Sequence, residues 1–243
     1  MKRDIEIKTG DGVAKAGLFR PEASPGPLPG VIFYMDGIGV RSSLDGMAQR
    51  LADAGYVVLL PDLFYRAGPY GPFTGTSMKD DAVRAQVMKM VGETSQAMTR
   101  EDTAAFLDTL AAEGATTPIG VVGYCMGGGR ALAAAASYPD RIKAAASFHG
   151  GNLAGDKEDS PHLLANQIEG RVYVGVAEVD NSFPPLQSGR LAEALRTAGV
   201  DHIVENYVGM AHGWTVPDHS VFNAVGAERH WKRLLTLFSE TLG

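Results

Sequence analysis

Residues 119–131, Ile119-Gly120-Val121-Val122-Gly123-Tyr124-Cys125-Met126-Gly127-Gly128-Gly129-Arg130-Ala131, set an apolar run, a glycine-flanked cysteine and the start of an alanine-rich segment in succession. The run Ile119 to Val122 reads as a buried strand and Arg130 to Ser137 as a buried helix, so Cys125 falls at a strand-to-helix corner. In the pattern Gly-x-nucleophile-x-Gly the side chain projects from a sharp turn, and a Cβ at either flanking position would strike the neighbouring strand or helix. Gly123 and Gly127 fill those positions, with Cys125 where serine is more usual. Two plainer readings stand beside this one. A lone cysteine also serves as a small buried hydrophobe, and Gly-rich turns cradle phosphates in dinucleotide and P-loop folds. The phosphate readings lack their other parts: no Lys-Ser/Thr pair follows the glycines, and the turn lies mid-chain rather than in the opening unit.

Outward from this corner, the pattern is one of strands alternating with helices. Residues 4–8 and 13–19 form a hairpin around Thr9-Gly10-Asp11-Gly12, and Pro21 to Gly30 is a proline-rich loop. Residues 31–35, 56–60, 142–148, 171–177 and 202–208 read as further strands. Helices are expected from Ser42 or Ser43 to Gly55, over 79–91, from a Thr99/Asp102 capping box to Gly114, from Pro184-Pro185 to Gly199 with Leu186, Leu191, Leu195 and Ala198 inward, and over 221–242 with Phe222, Val225, Trp231, Leu234, Leu235 and Phe238 inward. Residues 63–76, rich in Gly, Pro and aromatics, are long enough to cover a site, and 156–166 is a polar excursion without a clear element. The expected fold is therefore α/β: a mostly parallel central sheet with an N-terminal antiparallel hairpin and helices on both faces, in one domain spanning 1–243. Ligands in such sheets bind at the carboxyl ends of the strands, and the loops after Met35, Leu60, Tyr124, Phe148, Ala177 and Val208 all open there.

Composition narrows the function classes. The 22 basic and 28 acidic side chains give a net charge of −6, and no Lys/Arg cluster marks a nucleic-acid footprint. No apolar run is long enough for a membrane span, and the charged start Met1-Lys2-Arg3-Asp4 is unlike a signal peptide, so a cytoplasmic location is expected. A single cysteine excludes an intramolecular disulfide and any multi-Cys metal site, and fits a reducing compartment.

A thiol attacks as the thiolate, so Cys125 needs a base, and the base needs a group that orients it. Of the six histidines, His212 lies in the Gly-flanked loop Gly209-Met210-Ala211-His212-Gly213-Trp214 after the last strand. The nucleophile, acid, base order of hydrolases with this elbow puts the histidine last, with His149 in reserve. His202, His219, His230 and His162 read as surface or packing residues. The acid then lies between nucleophile and base: Asp180, just after a strand, with Glu178 as the alternative. For an oxyanion hole, the N–H of Met126 at a helix start and the N–H of Gly37 are the natural donors, and the same helix end favours the thiolate.

The segments Asp36-Gly37-Ile38-Gly39-Val40, Pro61-Asp62-Leu63, Gly123-Tyr124-Cys125-Met126-Gly127-Gly128 and Gly209-Met210-Ala211-His212-Gly213, in this order and over nearly the whole chain, resemble the dienelactone hydrolase family of α/β-hydrolases. The resemblance implies a Cys125-His212-Asp180 triad that opens a lactone or small ester through an acyl-thiol intermediate, with no metal and no organic cofactor. It also implies a small-molecule substrate and a monomer or homodimer. In that family a glutamate in the first oxyanion loop helps control ionisation of the cysteine; Asp36 stands at that position here. Family members also hold a substrate carboxylate with arginines, one of them shortly after the catalytic histidine, where this chain has Gly213-Trp214-Thr215-Val216-Pro217. Arg41, Arg66 and Arg84 are candidate replacements, and Trp214, Phe64, Tyr65 and Tyr70, with His149, are candidates for lining the substrate. Two other outcomes share the framework: transfer of the acyl group to another acceptor, and a ligand-binding protein without turnover.

Overall fold

The computed structural model describes residues 1–22 and 26–243. Eight strands among these residues form one sheet: β1 (Lys2–Lys8), β2 (Val13–Phe19), β3 (Leu28–Tyr34), β4 (Val57–Pro61), β5 (Ala115–Tyr124), β6 (Ile142–Phe148), β7 (Arg171–Val179) and β8 (His202–Ala211). Their order is β1-β2-β4-β3-β5-β6-β7-β8. β1 pairs antiparallel with β2, and β2 with β4. Every later pairing is parallel. The opening hairpin and the mostly parallel sheet are as expected. The expected loop over 21–30 is cut short, because β3 begins at Leu28; its residues 23–25 lie outside the described part.

Among the described residues six α-helices cover the sheet: α1 (Ser42–Asp53), α2 (Asp81–Glu93), α3 (Gln96–Ala112), α4 (Met126–Ser137), α5 (Pro185–Thr197) and α6 (Ala224–Thr241). On one face α1 and α6 are joined by the Arg50–Glu228 ion pair at 2.6 Å, with the Arg50 guanidinium over the Trp231 ring. On the other, α3 and α4 are joined by Arg100 Nε donating to Ser137 Oγ at 2.7 Å. The middle of the sheet is apolar on both sides: Val31 to Met35, Val57 to Leu60 and Val121, Val122 and Tyr124 are buried. This agrees with parallel strands covered by helices.

Three details depart from the sequence reading. α3 starts one turn early, capped by Ser95 Oγ, which accepts from Met98 N at 3.1 Å. Thr99 and Asp102 are therefore buried inside the helix instead of capping it. Leu186 and Val225, expected inward, sit in the first turns of α5 and α6 and are exposed, as in part is Phe222. Of the stripe expected on α5 only Leu191 and Leu195 are buried, since Ala198 lies just past the end of the helix and is exposed; on α6 the buried stripe begins beyond Val225. The polar excursion contains a 3₁₀ segment, Pro161–Gln167.

Strand lengths set the site. β7 runs to Val179 and β8 to Ala211, which pair with each other at their ends. Asp180 and His212 are thus the first residues beyond two adjacent strands, a placement that sheet pairing makes rigid.

Candidate active site

Cys125 has φ +54° and ψ −115°, in a region that non-glycine residues seldom occupy, and it precedes the first residue of α4. The glycines around it are compelled by close backbone approach. A Cβ on Gly123 would overlap the Gly127 carbonyl and lie 2.7 Å from Gly128 N; one on Gly127 would meet the carbonyl oxygens of Tyr34 and Met35. The second approach brings the start of α4 against the loop that follows β3. The Cys125 N–H is shared between Phe148 O at 3.1 Å and His149 Nδ1 at 3.2 Å, which pins the strained corner from behind.

His212 Nδ1 donates to Asp180 Oδ2 at 2.7 Å. Its backbone N–H donates to Val179 O at 3.2 Å. Cys125 also acts on the imidazole and, with Asp180, favours its charged form. Burial works against charge on this ring, yet Asp180 and Cys125 outweigh it and hold the imidazolium up to about 10. Asp180 Oδ1 accepts from Ser182 N at 2.8 Å and Ser182 Oγ at 2.6 Å. Burial opposes its charge, but His212 and then Ser182 hold the carboxyl below its ordinary value. Glu178 is exposed and takes the N–H of Gly209, away from the imidazole.

His149 is buried, with Nδ1 accepting from Cys125 N and Nε2 within 2.8 Å of Thr215 Oγ1. The acceptor role of Nδ1 puts the hydrogen on Nε2, which donates to Thr215. Burial holds this ring neutral, well below the ordinary histidine value. It stands 5.1 Å from the His212 ring, centroid to centroid, as a support under Cys125 with neither nitrogen left for a substrate.

In the loop after β3, Gly39 N donates to Asp36 O at 3.2 Å and Ile38 N to Asp36 Oδ1 at 3.0 Å. These turn bonds leave out the N–H of Gly37. Met126 opens α4, so its N–H belongs to the first turn, which has no intrahelical acceptor. The two backbone donors expected for an oxyanion thus lie in segments that abut. Val91 of α2 packs on Gly37, with Cγ2 2.9 Å from where a Cβ would be, and Tyr70 packs on Gly39 while its hydroxyl donates to Asp62 at 2.8 Å.

Several candidate substrate contacts are occupied elsewhere. Arg41 is buried between Asp36 and Asp218. Arg66 pairs with Asp102 at 2.8 Å and with Asp11, and the Tyr65 hydroxyl donates to Asp102 at 2.9 Å. These two side chains tie the first hairpin to α3. Arg84 pairs with Asp81 on the surface. Trp214 is 0% exposed, wedged between Tyr207 and His149, and Phe64 is buried too. An aromatic wall of Trp214 and Phe64 is therefore not available to a ligand; both rings fill the core. Asp36, expected to modulate the thiol, has its carboxylate bound by Arg41 and by His219 Nε2 at 3.3 Å. Burial opposes its ionisation, but His219 and Arg41 hold it far below the ordinary carboxylate range.

Four residues at the site escaped the sequence reading. Ser182 follows Asp180 by two places, the spacing of an Asx turn, and that signal was present. Thr215, Asp218 and His219 follow His212 in a loop whose partners lie almost 70 to more than 180 positions earlier in the chain. No local pattern announces such pairs.

Among known proteins, the model of the dienelactone hydrolase family matches residues 14–242. A Synechocystis sp. protein provisionally named carboxymethylenebutenolidase is 27% identical over 238 residues, covering 93% of this chain and 92% of that protein. One of the same provisional name from Escherichia coli (strain K12) is 28% identical over 230 residues, covering 91% of this chain and 80% of that protein. The crystal structure of a provisionally named dienelactone hydrolase from Klebsiella pneumoniae superposes with a TM-score of 0.87 at 23% identity, over 99% of this chain and 98% of its own; it speaks for the fold alone.

Proposed function

The chain belongs to the dienelactone hydrolase family and is a lactone or ester hydrolase; from that premise we propose that Cys125, His212 and Asp180 carry the reaction through an acyl-thiol intermediate. One observation supports this most: a single imidazole bonds the carboxylate of Asp180 at 2.7 Å and is close enough to Cys125 for that side chain to favour its charged form. The substrate is a small ester or lactone.

In the proposed route Cys125 attacks as its thiolate while His212 holds a proton. Sγ attacks the acyl carbon, and the tetrahedral oxyanion is met by the N–H groups of Gly37 and Met126. Collapse breaks the bond to the alkoxide, which takes the proton from His212 Nε2. In a lactone the new hydroxyl stays on the same acyl chain. Water then gives a proton to His212 as it attacks the thioester, and the second collapse releases the acid and restores the thiolate and imidazolium.

The pH dependence follows from His212. Its proton is required at alkoxide departure, so kcat/KM for an alkyl ester is expected to hold a plateau above neutrality and to fall as pH rises through about 10. In Asp180→Asn one of the two groups that raise this proton affinity loses its charge. The descending limb should move down toward the ordinary value of 6.5, and kcat should fall by about a hundredfold, less than in a serine triad because the thiol depends less on its base. A limb that stays in place in the variant would remove Asp180 from this role.

Stability is linked to the same group. Because folding raises the affinity of His212 for its proton, the stabilisation is complete below pH 6.5 and is lost as pH rises toward about 10. Urea unfolding across that interval should show a decline that is smaller in His212→Gln.

A further inference from the structure

Four charged or titratable side chains from two loops meet beside the nucleophile without belonging to the triad: Asp36 and Arg41 after β3, and Asp218 and His219 after β8. The guanidinium of Arg41 has five N–H bonds, and each has an acceptor. Nη1 donates to Asp36 Oδ1 at 2.8 Å and to Gly39 O at 3.0 Å. Nη2 donates to Asp36 Oδ2 at 2.8 Å and to Asp218 Oδ1 at 3.0 Å. Nε donates to Asp218 Oδ2 at 2.7 Å. Nothing is left over for a substrate carboxylate. Asp36 is filled in the same way: Oδ1 takes Ile38 N and Arg41 Nη1, while Oδ2 takes Arg41 Nη2 and His219 Nε2. Four donors occupy the four lone-pair positions of a carboxylate, so none remains for the thiol of Cys125.

This saturation surrounds a backbone that has little stiffness of its own. Asp36-Gly37-Ile38-Gly39 contains two glycines, and Gly39 sits at φ +98°. The far side of the cluster is firm. The His219 ring lies against Gly213, the residue after the triad histidine, where an added Cβ would come within 3.1 Å of Cε1. Asp218 Oδ2 also accepts from Gly75 N at 3.0 Å, and Gly75 packs so closely that a Cβ there would lie 2.9 Å from His219 Cα.

We propose that Arg41, Asp218 and His219 are positioning residues for the oxyanion loop: through Asp36 they hold the Gly37 N–H where the tetrahedral oxyanion forms. This rests on the reading of Cys125 as the nucleophile. The proposal separates two reactions of the same sulfur. Hydrolysis of an ester passes through an oxyanion, and alkylation by iodoacetamide does not.

The test uses His219→Leu, His219→Gln and Asp218→Asn, with 4-nitrophenyl acetate hydrolysis and the rate of Cys125 alkylation by iodoacetamide as paired readouts. His219→Leu and Asp218→Asn are expected to lower kcat by about 10- to 100-fold, since a displaced donor costs less than a deleted one. KM and the alkylation rate should stay within about twofold of wild type. His219→Gln keeps a donor toward Asp36 and should recover most of kcat. Unchanged kcat in both His219→Leu and Asp218→Asn would overturn the proposal, as would an alkylation rate that falls in step with kcat. His219 is partly exposed, so its variants keep the test open if Asp218→Asn does not fold. Full turnover in Cys125→Ala would instead defeat the nucleophile assignment, and is read separately.

Discussion

Cys125→Ala is expected to lose about five orders of magnitude in kcat for ester hydrolysis while remaining folded. The side chain caps α4 without a hydrogen bond from its own sulfur to the helix, and alanine tolerates the corner at least as well as cysteine, so the fold has little reason to respond. The chemistry has no substitute, because the described part of the chain holds no other thiol. Cys125→Ser is the sharper comparison. Serine needs a neutral imidazole to take its proton, and the Asp180 carboxylate that favours the charged ring of His212 is still in place in this variant. The serine variant should therefore stay about a thousandfold or more below wild type near neutrality. Hydrolysis of 4-nitrophenyl acetate by purified variants, with circular dichroism as the folding control, measures both effects.

The second large effect is structural. Gly123→Ala should leave no folded protein, or one destabilised by more than about 4 kcal/mol, a large share of the roughly 5–15 kcal/mol that holds a domain together. Its methyl group would have to displace the backbone of α4 at Gly127 and Gly128, and no side chain is in the way that could rotate aside. Gly46→Ala is the matched control, since nothing lies within 4 Å of a Cβ there. Thermal unfolding of the two variants should separate them widely. Similar melting temperatures would mean that the corner has room the structure does not show.

These two positions also show what was legible in the chain before its structure. Gly123, Cys125 and Gly127 could be read because the constraint is local: a strand, a turn and a helix within a dozen residues dictate which positions lose their Cβ. The placement of Asp180 and His212 at strand ends was readable for a related reason, since apolar runs mark strands. What escaped was non-local. Thr99 and Asp102 have the spacing of a helix cap, but Asp102 is the buried partner of Arg66 and Tyr65 from a distant segment. Arg41 has the look of a substrate arginine until Asp36 and Asp218 are found on both sides of it. His219 reads as the border of a helix, and only folding carries it across to Asp36. Burial was misjudged where helices begin: Leu186 and Val225 continue an apolar stripe past the point at which the core ends.

The proposed route commits to one covalent species. Protein quenched in acid during turnover of 4-nitrophenyl acetate, digested and analysed by mass spectrometry, should carry a single acetyl group on the peptide containing Cys125. An acetyl group found instead on His212, Ser182 or another residue, in a protein whose Cys125→Ala variant still hydrolyses the ester, would contradict the account.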